Sequence, residues 1–204
     1  MSIAGRIGAV FMQTSASPSS FTNKPTTPDT AFKRYRINDA NKRYWDKTQP
    51  VTVKVNGTTV ESGFYLEHCG GVVVFNTALE SEDEVRVTGK SVTVAQRGGF
   101  FNWSCDLDTE MADVTTFQGD GWKEHLPTIK GFSASADSYW ADGDLSQSVG
   151  KEVIIALYVD NTPSKKRYEG YALISSDSLE SAVDDVINES IEFEGVGNLF
   201  YRED

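Results

Sequence analysis

Phe132-Ser133-Ala134-Ser135-Ala136-Asp137-Ser138-Tyr139-Trp140 alternates residue by residue, and that alternation decides the class of fold. A strand sends successive side chains to opposite faces, so Phe132, Ala134, Ala136, Ser138 and Trp140 share one face while Ser133, Ser135, Asp137 and Tyr139 share the other. One face suits a core and the other suits water. Downstream, Val153-Ile154-Ile155-Ala156-Leu157-Tyr158-Val159 is apolar at both parities, the pattern of a central strand covered on both sides. Tyr168 to Ile174 and Ile187 to Phe193 complete the set; in the latter Ile187, Ile191 and Phe193 point inward and Asn188, Ser190, Glu192 and Glu194 outward.

Upstream the same periodicity recurs. Val51 to Val55, Asn56-Gly57 and Thr58 to Val60 spell a hairpin, because Asn-Gly supplies the two positive-φ residues of a type I′ turn. Val72 to Phe75 is a short β-branched run, and Glu84 to Thr88 and Ser91 to Val94 are predicted as two strands separated by Gly89-Lys90. A first strand is expected near Gly8 to Met12. Two stretches look helical. Asn38 to Trp45 offers a cap residue with Ile37, Ala40 and Tyr44 on one face; Gly121 to Leu126 follows Asp120, a candidate cap, and stops at Pro127. Leu179 to Val186 fits either periodicity and is read as strand, and Thr14 to Thr30, rich in Ser, Thr and Pro, as an extended arm.

The chain has 204 residues, 39% hydrophobic and 24% charged, enough to bury a core without metal or disulfide staples. Thirty acidic against 19 basic side chains give a net charge of −11, the wrong sign for a general nucleic-acid binder. The charge is polarised: residues 1–50 carry 8 basic and 3 acidic side chains, and residues 51–204 carry 11 and 27. Uneven but solvated surface charge and end-to-end attraction between copies both fit that split. No apolar run reaches membrane-helix length, and the apolar start, broken by Gly5 and Gly8, is too short for a signal peptide, so neither a membrane role nor ordinary secretion is expected.

Chemistry is sparse. Cys69 and Cys105 form no CxxC pair and read as buried thiols. His68 precedes Cys69, but strand neighbours face opposite ways, which is poor geometry for a dyad; His125 reads as a packing or surface residue. The two histidines lack zinc spacing, no EF-hand frame, P-loop or dinucleotide fingerprint is present, and no cofactor is expected. The acidic clusters Glu80 to Glu84 and Asp184-Asp185 read as solvated. Phe100, Phe101, Trp103, Trp122, Phe132, Tyr139 and Trp140 concentrate in one stretch, which suits a core with a share at subunit contacts. A structural or binding role follows, not an enzyme.

Phe101-Asn102-Trp103-Ser104, Ala112-Asp113-Val114-Thr115-Thr116-Phe117, Gly121-Trp122-Lys123-Glu124-His125-Leu126-Pro127, Lys130 to Ser135 with Tyr139-Trp140, and Ser190 to Gly197 occur in that order. This series resembles the tail tube (major tail) proteins of long-tailed, non-contractile bacteriophages over residues 91–204 and the first strand. The resemblance implies a mainly β fold, a β-sandwich or distorted barrel with one short α-helix, akin to the tube of type VI secretion systems. Three regions are expected: a first strand with an N-terminal arm over 1–29, an inserted β-rich lobe over 30–89, and a tube core over 90–204. It also implies homohexameric rings stacked into a hollow virion tail, assembled in the host cytoplasm. The implied partners are tape-measure, terminator and distal tail proteins, with DNA passing through the bore unbound. Candidate ring contacts are Trp103, Trp122, Lys123, Phe132, Trp140, Asn56, Gly57, Arg34 and Arg36. Candidate bore-lining acids are Asp106, Asp108, Glu110, Asp113, Asp177, Glu180, Asp184, Asp185 and Glu192. Rival readings are a monomeric carbohydrate- or receptor-binding β-module, another tail component such as a terminator or adaptor, and, with least support, a hydrolase.

Overall fold

A computed structural model describes residues 8–14, 17–116, 121–162 and 165–203. The chain forms two compact units, one taking the start of the chain through Val10, Arg97–Val153 and Leu157 onward, the other Phe11–Gln96 with Ile154–Ala156.

In chain order the strands are β1 (Ala9–Gln13), β2 (Ser19–Pro28), β3 (Arg34–Ile37), β4 (Thr52–Val55), β5 (Thr58–Val60), β6 (Phe64–Glu67), β7 (Val72–Phe75), β8 (Val85–Ser91) and β9 (Val94–Gln96). They continue as β10 (Phe100–Asp113), β11 (His125–Tyr139), β12 (Glu152–Asp160), β13 (Lys166–Glu180), β14 (Asn188–Gly195) and β15 (Phe200–Arg202). One sheet runs β10-β11-β14-β13-β12-β1-β9 with β15 on β13; the other runs β5-β4-β8-β2-β3-β7-β6.

The seven-stranded sheet begins with β5 and ends with β6, yet only residues 61–63 join those two strands. Laid flat, seven strands put their outer members about 29 Å apart. Four residue steps span at most roughly 14 Å. The sheet therefore curls back toward itself as an incomplete barrel around Phe21, Tyr35, Ile37, Trp45, Val53, Val73, Phe75, Val85 and Val87. Trp45 is fully buried, stands 5.9 Å from the ring of Phe21, and its indole N–H donates to the Lys42 carbonyl at 2.7 Å. The β4–β5 turn has Asn56 at φ 50° and Gly57 at φ 82°, the conformation the Asn-Gly pair predicts.

Strand β12, whose Ile154–Ala156 are grouped with Phe11–Gln96, is buried at both parities from Val153 to Tyr158, as its sequence predicts. On β11, Phe132, Ala134, Ala136 and Ser138 are buried and the intervening residues are not. Phe132 presses on Gly195 of β14, where an added Cβ would stand 2.4 Å from the ring. The core also holds charge: Glu169 accepts from Nε of Arg167 at 2.8 Å and from Nε of Arg202 at 3.1 Å.

Several expectations are corrected. Among the described residues no α-helix occurs. Residues 40–42 make one 3-10 turn, with Asp39 accepting from the Asn41 N–H, and Tyr44 and Trp45 then bridge to Cys69 and Ser91. Gly121 to Leu126 extends instead of coiling: Leu126 pairs with Ala112, and the Val114 N–H donates to the Glu124 carbonyl. A six-residue helix cannot offset its own nucleation, whereas the hairpin offers partners already in place. Asp120 lies outside the described residues. Most of the supposed arm is strand β2, held between β8 and β3. Gly89-Lys90 does not interrupt the strand but lies within β8. Beyond Glu180 the chain turns, so neither a strand nor a helix runs to Val186, and Ile187, expected inward, is 38% exposed.

Candidate functional site

Strand register across β10, β11, β14 and β13 builds two faces of opposite character. Directly paired residues in antiparallel strands share a face. Asn102 pairs with Asp137, Ser104 with Ser135, Asp106 with Ser133 and Asp108 with Gly131. On the other side of β11, Ser133 pairs with Glu194, Ser135 with Glu192 and Asp137 with Ser190. Ser176, Ser178 and Glu180 of β13 continue the rows opposite Glu192, Ser190 and Asn188. Leu173 pairs with Glu194, so apart from it and Gly131 the resulting surface is serine, asparagine, aspartate and glutamate, and among these rows no Lys, Arg or His occurs.

Short polar bonds knit this face. Asn102 Nδ2 donates to Asp137 Oδ2 at 2.9 Å, Ser190 Oγ to Asp137 Oδ1 at 2.7 Å, and Ser176 Oγ to Glu192 Oε2 at 3.0 Å. Ser104 and Ser135 hydroxyls meet at 2.9 Å. The opposite face carries Trp103, Cys105, Leu107, Phe132, Ala134, Ala136, Ile191, Phe193 and Ile174.

Of the candidate acids, Asp106, Asp108, Glu180 and Glu192 stand on the acidic face, all exposed. Glu110 is exposed at a register shift, where its carbonyl accepts from Thr128 Oγ1. Asp113 closes β10 beside His125; hydrogen bonds from Thr115 hold its carboxyl below the usual range, with a smaller contribution from the imidazole. Asp184 and Asp185 lie in the exposed turn between β13 and β14, off the face. Asp177 is also off it: it pairs with the buried Ile191 and accepts a short hydrogen bond from Ser146 Oγ. A shift in register between Ile174 and Ser176 sets that parity. Asp137 and Glu194 belong to the face and were not among the candidates, although their alternation with apolar neighbours was the available signal.

The contact candidates scatter. Trp103 is half-buried opposite Ala136, whereas Phe132 is spent inside its own core. Trp122 is 79% exposed, Lys123 is exposed beside it, and Trp140 stands partly exposed after β11. Asn56 and Gly57 form their turn, which is tied to the acidic loop by Asn56 Nδ2 to Asp83 Oδ1 at 2.6 Å. Arg34 pairs with the buried Glu67 at 2.6 Å, and Arg36 lies half-buried opposite Thr27 and Val72.

Two further features of this unit are decisive. Strand β10 ends its sheet, so one edge of a 14-residue strand has no strand partner among the described residues. The far half of the β10–β11 hairpin also leaves Leu107, Met111, Leu126 and Ile129 more than half exposed. Among the described residues no group of three or more His, Cys, Asp or Glu is placed to hold a metal, and no helix is long and apolar enough to cross a membrane. His68 stands edge-on to Trp45 at 6.4 Å, and burial pushes its pKa down; Cys69 is buried, and Cys105 is half-buried with its thiol pushed up by burial.

No protein-family model matches the chain, and no curated protein matches it. Solved structures do resemble it. The tail of an empty gene transfer agent (GTA) particle superposes at TM-score 0.46 and 15% identity, covering 54% of this chain and 87% of that one. The virion of a native gene transfer agent particle gives 0.45 and 16%, covering 53% and 88%. The SPP1 tail tube gives 0.44 and 16%, covering 55% and 69%.

Proposed function

We propose that this chain is a structural tail protein whose copies join sheet edges into rings of six, the rings stacking into a hollow virion tube. The acidic face then lines the lumen, and DNA passes along it. The observation that carries this reading is the cation-free face of β10, β11, β14 and β13 ending in an unpartnered strand edge. An exposed edge of that length is a template for another chain, and a sheet that continues into a sibling copy removes it. Asp106, Asp108, Asp137, Glu180, Glu192 and Glu194 repel phosphate, so a DNA strand gains no counterion-releasing contact that would hold it. The order of motifs over residues 91–204 supports the same reading.

The apolar hairpin end suits contact with a neighbouring copy, since contiguous exposed apolar surface marks interaction sites. Tape-measure, terminator and distal tail proteins are the partners this role requires, with assembly in the host cytoplasm. The sequence-based division into arm, lobe over 30–89 and tube core over 90–204 is retained as a proposal for how the tube-forming and added regions divide. Catalysis has no place in it.

Negative-stain microscopy and a sizing column on the purified chain test the reading. Rings or tubes of regular width are expected. A monomer at every concentration and salt, binding glycans on an array, would replace it with the carbohydrate-binding module. Changing Asp106, Asp108 and Glu192 together to Lys is expected to leave tubes intact and make them retain DNA; unchanged DNA retention would remove the lumen assignment.

A further inference from the structure

Glu189 is the acid in this chain least suited to its position. It lies on the apolar face of β14, two residues from the fully buried Ile191, and is itself 2% exposed. Ser138 Oγ donates to its Oε2 at 3.2 Å, while its Oε1 is buried with no hydrogen-bond partner among the described residues. A buried carboxylate oxygen in that state is costly. Diagonally across on β13 the half-buried Asp177 has Ser146 Oγ on its Oδ2, while its Oδ1 is buried without a hydrogen-bond partner among the described residues. Each carboxyl thus has one satisfied and one orphaned oxygen.

We propose that the buried carboxyl of Glu189 keeps a proton, and that this proton latches the 141–149 loop onto the sheet. The loop is tied at its ends, where the Trp140 N–H donates to the Ile187 carbonyl at 2.9 Å and the Gly150 N–H to Ile174 at 2.8 Å. Between those points it is held by buried Leu145 and by the Ser146–Asp177 bond. With the proton present, Glu189 is neutral and adds no charge to its buried site. Without it the buried Glu189 carboxylate is repelled by the half-buried Asp177, which relieves the repulsion by turning outward and releasing Ser146.

The charged groups facing Glu189 agree. Burial disfavours its charge most, then Asp177 from β13 and, more weakly, Asp142 from the loop; the Ser138 hydrogen bond and, least, Arg97 ahead of β10 oppose them. Because the folded chain raises the Glu189 pKa, the contribution is fully present below the unfolded value and is lost as pH rises through the folded one. A single copy contains every group involved, so the latch stands or falls apart from any tube.

Amide hydrogen exchange of residues 141–149 in the full chain, corrected for the intrinsic rate, tests this from about pH 5 to about pH 9. Protection is expected to fall about tenfold or more in a one-proton step. Glu189→Gln, which is neutral and nearly isosteric, should keep the loop protected across the range, and exposed Glu180→Gln should leave the step in place. Carboxyl carbon NMR of Glu189 should show the same midpoint. A flat profile in the unaltered chain, a step that survives in Glu189→Gln, or calcium chloride restoring protection at alkaline pH would each overturn the proposal, the last in favour of a metal.

Discussion

The two units solve the problem of sheet edges and apolar surface in different ways. Phe11–Gln96 curls its seven-stranded sheet around a core of its own, and of the large apolar side chains that stand exposed among the described residues it holds only Tyr65. Its ten Lys and Arg nearly cancel its nine Asp and Glu. The other unit keeps the remaining exposed apolar residues, the open edge of β10 and most of the chain's negative charge. One unit keeps its apolar side chains inside its own curled sheet, whose end strands β5 and β6 are short. The other leaves a long strand edge and apolar surface exposed, and the proposed self-assembly rests on that contrast.

Disrupting the self-contained unit should have the largest effect on folding. Trp45→Ala empties a fully buried indole site and should cost about 3–5 kcal/mol in denaturant unfolding, with loss of the indole bond to Lys42. A loss under about 1 kcal/mol would show that the barrel core repacks freely.

Gly195→Ala strikes the other unit. Its new methyl meets the Phe132 ring at 2.4 Å and the Phe132 carbonyl oxygen at 2.6 Å, and backbone in a paired strand cannot give way. About 1–3 kcal/mol of destabilisation is expected by thermal melting, and an unchanged melting temperature would contradict the packing described.

The pair Leu107→Lys with Leu126→Lys sharpens the contrast, because it should change monomer stability by no more than about 0.5 kcal/mol and yet abolish rings on a sizing column. Rings that persist would move the contact elsewhere. The smallest effect belongs to Asp113. Its carboxyl pKa is lowered in the folded chain, so its support of the turn at Thr115 is present above the unfolded value and lost as pH falls through the folded one. Hydrogen exchange at Val114 to Thr116 should quicken below about pH 4, and Asp113→Asn should abolish that dependence.

Much of this was legible along the chain. Phe132 to Ser138 alternates because β11 has one buried face; Val153 to Tyr158 is apolar throughout because β12 is covered on both. Asn56-Gly57 is a turn because those residues reach positive φ at little cost. The Thr14–Thr30 stretch misled because Ser, Thr and Pro favour loops only when no neighbouring strand competes, and β2 has one on each side. Gly121 to Leu126 misled because helical spacing over six residues is weaker than pairing with a strand already formed.

The candidate acids divide in the same manner. Local sequence determined that Asp106, Asp108 and Glu192 alternate with non-acidic neighbours and so belong to wet faces. Only pairing between strands distant in sequence decided which wet faces coincide, bringing Asp137, Ser190 and Glu192 into neighbouring rows. A register shift at Ile174–Ser176 then put Asp177 on the core side with Glu189. Side-chain periodicity is a property of each strand alone. Register, bulges and edge exposure arise from hydrogen bonds between strands, and no residue carries those by itself.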